Sequence, residues 1–257
     1  MNDIIQLNLA QFALIYLLLI VVLAIMKKCK INQTRLLLVA SLRMTVQLVL
    51  AGLILTYMFE NPHPVFTVAY IVLMTGFAIH MVLRRNRGLN LRFQLIAGMS
   101  LAASGIAVVC FFIMAVVGVS IFNPQYTIPI SGMILGNALT GVSLGLKAFT
   151  ESIAAHRPRI DALINMGVTP HKILRPFVNS ALETALLPTL NSMLGMGIIS
   201  LPGMMTGQIL SGTLPMTAIF YQIAIIIAIS TVSCLAVFCS LFFGYRTLYN
   251  ERCQIVG

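Results

Sequence analysis

Charge is what this sequence has least of. Only 9% of its 257 residues are Asp, Glu, Lys or Arg, and just six of those are acids. A soluble globular domain carries roughly 25% charged residues. The length would suit one or two ordinary domains, but hydrophobic residues make up 59% and mean hydropathy is +0.99. Such a chain is expected to be one integral membrane unit over residues 1–257. Other absences exclude whole classes. There is no GxxxxGK(S/T) and not even a Gly-Lys dipeptide, so this chain does not bind ATP through a P-loop. None of the five cysteines, Cys29, Cys110, Cys234, Cys239 and Cys253, forms a Cys-x-x-Cys pair, so neither a disulfide framework nor a zinc site is supported. No basic stripe with interleaved aromatics points to nucleic acid. No segment alternates like a barrel strand, which leaves helices as the spanning structures.

Seven apolar runs are long enough to cross about 30 Å of hydrocarbon, which takes about 20 helical residues. They lie at about 7–26, 36–59, 65–83, 93–117, 126–146, 184–202 and 217–243. Their all-round hydrophobicity favours spans over amphipathic surface helices. The expected fold is therefore all-α: seven transmembrane helices with a cytosolic amphipathic segment.

The 16 basic residues give the orientation. Lys27, Lys28, Lys30 and Arg35 follow the first run, and Arg84, Arg85, Arg87 and Arg92 follow the third. Lys147, Arg157, Arg159, Lys172 and Arg175 follow the fifth, and Arg246 and Arg252 lie in the tail. The opposite side holds no Lys or Arg, only Asp3 and Glu60, and the sixteenth basic residue, Arg43, lies inside the second run. The positive-inside rule places the N-terminus outside and the C-terminus in the cytosol. The net charge of +10 is thus a signal of topology. The first run has no basic segment before it, so it is expected to be retained and not cleaved as a signal peptide.

The longest cytosolic loop is expected at 147–183, and its centre, DALINMGVTPHKILRP (161–176), is unusually polar. Ile160, Leu163 and Ile164, then Ile173, Leu174, Phe177 and Val178, recur at helical spacing. The pattern predicts two short amphipathic helices, the first broken at Gly167 and the second opened by Thr169 as cap and Pro170 at its first position. Two readings fit: a docking surface for a partner, or an anchor lying among lipid headgroups.

Inside the runs, polar residues need partners or a water-filled cavity. Arg43 and Gln47 share a face of the second run, where Arg43 is placed either to snorkel to the cytosolic end or to line an inner mouth. Asn137, Asn191, Ser192 and Gln222 suit interhelical hydrogen bonds or a pathway. Gly132 and Gly136, Gly141 and Gly145, and Gly203, Gly207 and Ser211 form small-residue stripes, suited to internal seams or a dimer face. The region 184–212 is too long for one plain span and is interrupted at Pro202-Gly203. A broken or re-entrant helix is expected there, with 200–208 as the candidate gate or substrate contact. Fifteen methionines are present, and Met193, Met196, Met204 and Met205 lie close to that break. Thioethers suit soft metals, but methionine also fills irregular gaps; no metal site is assigned. The candidate pathway set is Arg43, Gln47, Asn137, Asn191, Ser192, Pro202, Gly203, Met204, Met205 and Gln208.

Two rival classes are disfavoured. An intramembrane protease needs a Ser–His pair or two Asp within spans, but no Asp lies in any run and only His80 lies near one. A secondary transporter would want a midplane acid for ion coupling, and none is present.

Several segments carry a family resemblance. Asp161-Ala162-Leu163, three residues, then Gly167 resembles the EAA loop of ABC-transporter permeases, with Asp in place of Glu, Leu in place of the second Ala, and no downstream Ile-x-Leu-Pro at the usual offset. SLRMTVQL (41–48), IPISGMILGNAL (128–139), MGVTP (166–170), LLPTLNSMLGMGIISLPGMMTGQILSG (186–212) and FYQI (220–223) together resemble the FetB (YbbM) family of permease subunits, to which plant STAR2-type proteins belong. The resemblance implies the membrane subunit of an ABC transporter in the bacterial inner membrane, associated with export of iron. ATP would sit on a separate ATPase subunit, and Asp161, Ala162, Gly167, Thr169 and Pro170 would form the coupling segment. This chain would hold no cofactor itself, pair with a second permease copy and contact lipid. The alternative is a secondary transporter or channel-like protein with no ATPase.

Overall fold

The computed structural model describes residues 8–86 and 88–249. Asp3, Arg87, Arg252 and Cys253 lie outside the described residues. The chain divides into two compact units, one running to Pro62 and including Leu210–Gly212, the other holding His63–Ile209 and the remainder.

The first unit is a helical pair, α1 (Leu9–Lys28) and α2 (Thr34–Glu60). Tyr16 and Thr45 share a hydrogen bond of 2.5 Å between the two helices, and Thr45 also donates to the Ser41 carbonyl. Almost every large apolar side chain described here is exposed, from Leu14 through Leu53. A helix that is apolar on all sides and exposed on most of them suits lipid as its solvent.

The second unit comprises α3 (Pro64–Arg85), α4 (Leu91–Phe111), α5 (Pro124–Ala155), α6 (Arg157–Asn165), α7 (Pro170–Gly195), α8 (Gly203–Leu210, apart from its last residue) and α9 (Pro215–Gly244). A π-helical turn at Phe112–Val117 extends α4 and stops at Gly118, which is left-handed at φ +74°. Prolines at 64, 124, 158, 170 and 215 occupy the first turns of their helices, where the missing N–H costs nothing. Asn123 and His63 reinforce two of these starts by accepting hydrogen bonds from the N–H groups of Gln125 and Val65.

The core lies where α9 packs along α4 and α5, with α7 and α3 laid against α5. Phe93, Leu101, Ile134, Leu146, Phe149, Ile225 and Leu241 are fully buried there. Close approach rests on missing side chains. A Cβ on Gly145 would lie 2.8 Å from Val237 of α9 and 3.3 Å from Ala185 of α7; one on Gly244 would lie 2.6 Å from the Phe93 ring. The Gly141–Gly145 stripe is therefore an internal seam, whereas a Cβ on Gly136, Gly203 or Gly207 would meet nothing within 4 Å.

Among the described residues, six helices are long and apolar enough to cross a membrane: Gln11–Lys28, Thr34–Glu60, Pro64–Arg85, Leu91–Val117, Pro124–Ala155 and Pro215–Thr247. The expected span at 184–202 is the exception. Its residues are split between the second half of α7, which ends at Gly195, and an irregular stretch before α8. Helix α7 is long, but Asn179, Glu183, Thr184, Thr189, Asn191 and Ser192 recur through it, and Pro176 and Pro188 lie inside it. The expected loop at 147–183 is also largely helical. α5 runs on to Ala155, and the anticipated second short helix is the beginning of the 26-residue α7.

The seam gives a test. Gly145→Leu is expected to destabilise the purified protein by about 1–3 kcal/mol through overpacking, read as a lower midpoint in a thermal unfolding scan. Gly136→Leu, which points a side chain into open space, should leave the midpoint nearly unchanged.

Candidate functional site

The side chains that come together lie in the second unit, between α5, α7 and α9. Asn137 and Thr140 on α5 face Thr189 and Ser192 on α7 across a small cleft of about 90 Å³, closed on its third side by Ile226 and Ile229 of α9. Each polar side chain here follows from its helix. Asn137 donates to the Met133 carbonyl at 2.8 Å, Thr140 to that of Gly136 at 3.0 Å, and Ser192 to that of Pro188 at 2.8 Å. These bonds take up the Thr140 and Ser192 hydroxyl protons and one of the two amide protons of Asn137, and their oxygens keep lone pairs free to accept. Gly141 forms part of the wall, so the cleft deepens where a side chain is missing.

A larger cavity of about 630 Å³ adjoins it, sharing Ile226. Its walls include Met193, Met196, Gly197, Leu201, Pro202, Met205 and Gln222. The helix break shapes it. α7 stops at Gly195, Gly197 is left-handed at φ +85°, and its N–H donates to the Ser200 carbonyl at 2.9 Å. The N–H groups of Ile199 and Ser200 return to the Gly195 carbonyl at 2.9 and 3.2 Å. At the restart, Thr206 donates to the Pro202 carbonyl through both its N–H and its hydroxyl. The break is thus a self-bonded turn over 196–202 with Pro202 at its far end.

Of the expected pathway residues, the structure gathers Asn137 and Ser192 around the small cleft and Pro202 and Met205 around the cavity. Met204 packs against the core instead. Gly203 and Asn191 are exposed, and Gln208 is half-buried on α8. Arg43 and Gln47 are exposed on α2, in the other unit. Thr140 and Thr189 were missed, because only the facing of the helices reveals them. Gln222 had a sequence signal, an amide inside an apolar run; it proves buried, donating to the Met196 sulfur at 3.8 Å, while its Oε1 has no hydrogen-bond partner among the described residues. No cluster of three or more His, Cys, Asp or Glu exists among the described residues.

The 161–176 segment forms a tight corner between α6 and α7. Met166 donates to Ala162, Gly167 to Ile164 at 2.9 Å and Val168 to Leu163 at 3.0 Å, the bonding of a Schellman end. Gly167 takes φ +82°, and a Cβ there would meet nothing within 4 Å; conformation, not space, calls for glycine. Thr169 stands at the cap position, with no side-chain cap bond, and Pro170 is buried at the first turn. Asp161, Ala162, Asn165, Met166 and Gly167 are exposed, while Ile160, Ile173, Leu174 and Val178 are buried in the bundle. The His171 ring meets the edge of Tyr245 at 5.8 Å, tying the start of α7 to the end of α9. The apolar face of the segment is spent on the protein itself, which leaves little of it for a headgroup anchor.

These features define an integral membrane protein with an all-α bundle, a broken helix beside a cavity, and an exposed corner at one end of α7. The chain belongs to the uncharacterised protein family UPF0014, whose model matches residues 9–249. It is 34% identical over 235 residues to the UPF0014 membrane protein slr1647 of Synechocystis, covering 88% of each chain. It is 28% identical over 246 residues to the probable iron export permease protein FetB of Escherichia coli, covering 96% of this chain and 94% of that one. It is 31% identical over 197 residues to the UPF0014 membrane protein STAR2 of rice, covering 76% and 68%. No solved structure matches.

A wet, polar cleft and a lipid-facing groove differ in thiol chemistry, because a thiolate forms only where water reaches it. In a cysteine-free background, Asn137→Cys is expected to react with a small water-soluble thiol reagent. Ala138→Cys, on a residue that is fully buried on the same helix, should not. Equal rates at both positions would remove the cleft as an aqueous feature.

Proposed function

We propose that this protein is the membrane permease subunit of an ABC transporter, exporting a metal ion of the iron type across the bacterial inner membrane with energy from a separate ATPase subunit. The observation that carries the reading is the α6–α7 corner. It offers Asp161, Ala162, Asn165, Met166 and Gly167 outward while its apolar residues anchor it to the bundle. A rigidly mounted, exposed turn is what a partner needs in order to push on the helices. The Escherichia coli relative, a probable iron export permease, suggests the export of iron, and the absence of a P-loop in this sequence supplies the need for a second subunit. In this mechanism ATP-driven closure of two ATPase subunits moves the corner in each of two permease copies. Helix α7 carries the displacement toward the cleft and the break, and access alternates between the two sides. Asn137, Thr140, Thr189 and Ser192 line the route as neutral oxygen ligands, and the 196–202 turn with Pro202 serves as the gate.

The docking role tests directly. Gly167→Val forces a β-branched side chain into a left-handed backbone, costing about 1 kcal/mol or more and deforming the turn. The expected result is loss of the co-purifying ATPase, or ATP hydrolysis that no longer responds to the permease. Gly167→Asn, which tolerates this φ, should retain both. Undiminished, coupled ATPase binding by the Val variant would overturn the docking role, and purification of the native protein with no ATPase at all would favour a secondary transporter.

The proposed orientation, N-terminus outside and C-terminus in the cytosol, rests on the placement of Lys and Arg. A cysteine at Asn61 or Asn123 should be labelled from outside intact cells, and one at Asn86 should not. Strong outside labelling at Asn86 would reverse the model.

A further inference from the structure

Among the described residues, three methionine sulfurs and one amide stand in an otherwise aliphatic wall of the larger cavity, with no charged side chain beside them. Met193 near the end of α7, Met196 in the break and Met205 in α8 reach its wall from three successive pieces of chain, and Gln222 reaches it from α9. We propose that this cavity binds a soft monovalent cation of the Cu(I) or Ag(I) class, held by the three thioethers and the Gln222 amide oxygen. This site goes beyond the permease reading above: it concerns the ion that the cavity holds, apart from the iron-type ion assigned to the transport route.

Three observations converge. The first is the state of Gln222. It is 8% exposed, and its amide N–H group donates to the Met196 sulfur at 3.8 Å. Its Oε1 has no hydrogen-bond partner among the described residues. A buried, unmatched amide oxygen is destabilising, and a cation beside it supplies the missing partner. The second is the ligand set. Among the described residues the cavity wall holds no carboxylate, imidazole or thiol. Hard divalent ions ask for oxygen ligands, largely anionic, whereas thioethers select soft ions. Neutral ligands in an apolar cavity also favour the lowest charge, because an ion loses more hydration energy on burial as its charge rises. The third is the placement of the methionines. Methionine used as filler closes gaps, but these three border about 630 Å³. Met204, next in sequence to Met205, packs on the core instead, so a cluster in sequence does not by itself put sulfur at the cavity.

The test uses the full chain in nanodiscs, with all five cysteines replaced by Ala so that thiols cannot bind the probe. Silver(I) in chloride-free buffer is titrated against a competing chelator. The parent is expected to bind close to one Ag(I) per chain. Met193→Leu, Met196→Leu and Met205→Leu together should weaken binding at least tenfold. Met→Leu conserves volume, and elution as a single monodisperse species checks the fold; should the triple variant fail that check, Met196→Leu alone should weaken binding about threefold or more. Gln222→Leu should weaken it less than the triple variant. Replacing three exposed methionines, Met99, Met114 and Met166, by Leu should change nothing. The proposal is overturned if the parent binds no Ag(I), if the cavity variants bind as the parent does, or if anaerobic competition shows Fe(II) bound more tightly than Ag(I). Co-purification of an ATPase judges the permease reading separately, so failure of one leaves the other standing.

Discussion

Hydrocarbon offers a polar group nothing to bond with, and the helices of this protein are arranged around that fact. Hydroxyl after hydroxyl turns back onto its own helix to reach the carbonyl four residues earlier. Thr45, Thr56, Ser104, Ser143, Thr150, Thr184, Thr231 and Ser240 all do so. Each bond satisfies a donor locally. It lets Ser and Thr serve as small packing residues without committing them to a partner helix. The same economy explains why so few charges occur in the spans, and why the basic residues collect at their ends.

With these hydroxyls satisfied locally, cohesion rests largely on close packing. The second unit shows how. Gly145 admits Val237 and Ala185, and Gly244 admits the ring of Phe93. α5 and α9 can therefore run in contact along much of their length, with Ser233 set against Gly141. Where the seam opens, between Asn137 and Ser192, the cleft begins. Site and seam are parts of one groove, filled at one level and lined by polar atoms at the next.

How much of this a reader of the sequence can see depends on the distance over which each feature is determined. Apolar length is local, and among the described residues six helices long and apolar enough to cross a membrane coincide with six of the seven runs. Gly167 and Pro170 are local signals too, and both mark helix ends as expected. The sixth run misled because apolar content continues past the point where the backbone turns. The helix ends at Gly195, ahead of a left-handed Gly197, so Pro202 marks the restart and not the stop. Thr140 and Thr189 belong to a cleft that exists only once α5 and α7 take their facings. Met204 and Met205 are adjacent in sequence yet serve different environments, a distinction set by the rotation of an eight-residue helix.

The single most consequential departure from the sequence-based picture is the continuity of α7. A loop followed by a separate span would transmit force poorly, since a flexible joint absorbs it. Instead one helix of 26 residues runs from Pro170 at the exposed corner to Gly195 at the break, about 39 Å at 1.5 Å per residue. Its first turns are clamped by Ile173, Leu174 and Val178 in the core. Pro188 removes a backbone bond inside it, one turn before Ser192. Pro176 removes another nearer the corner, so under the proposed function a displacement travels along one helix weakened at two places, the second of them at Pro188. That point lies beside the polar cleft and just ahead of the methionine-lined cavity. Under the proposed function, this geometry places the force and the route on the same element.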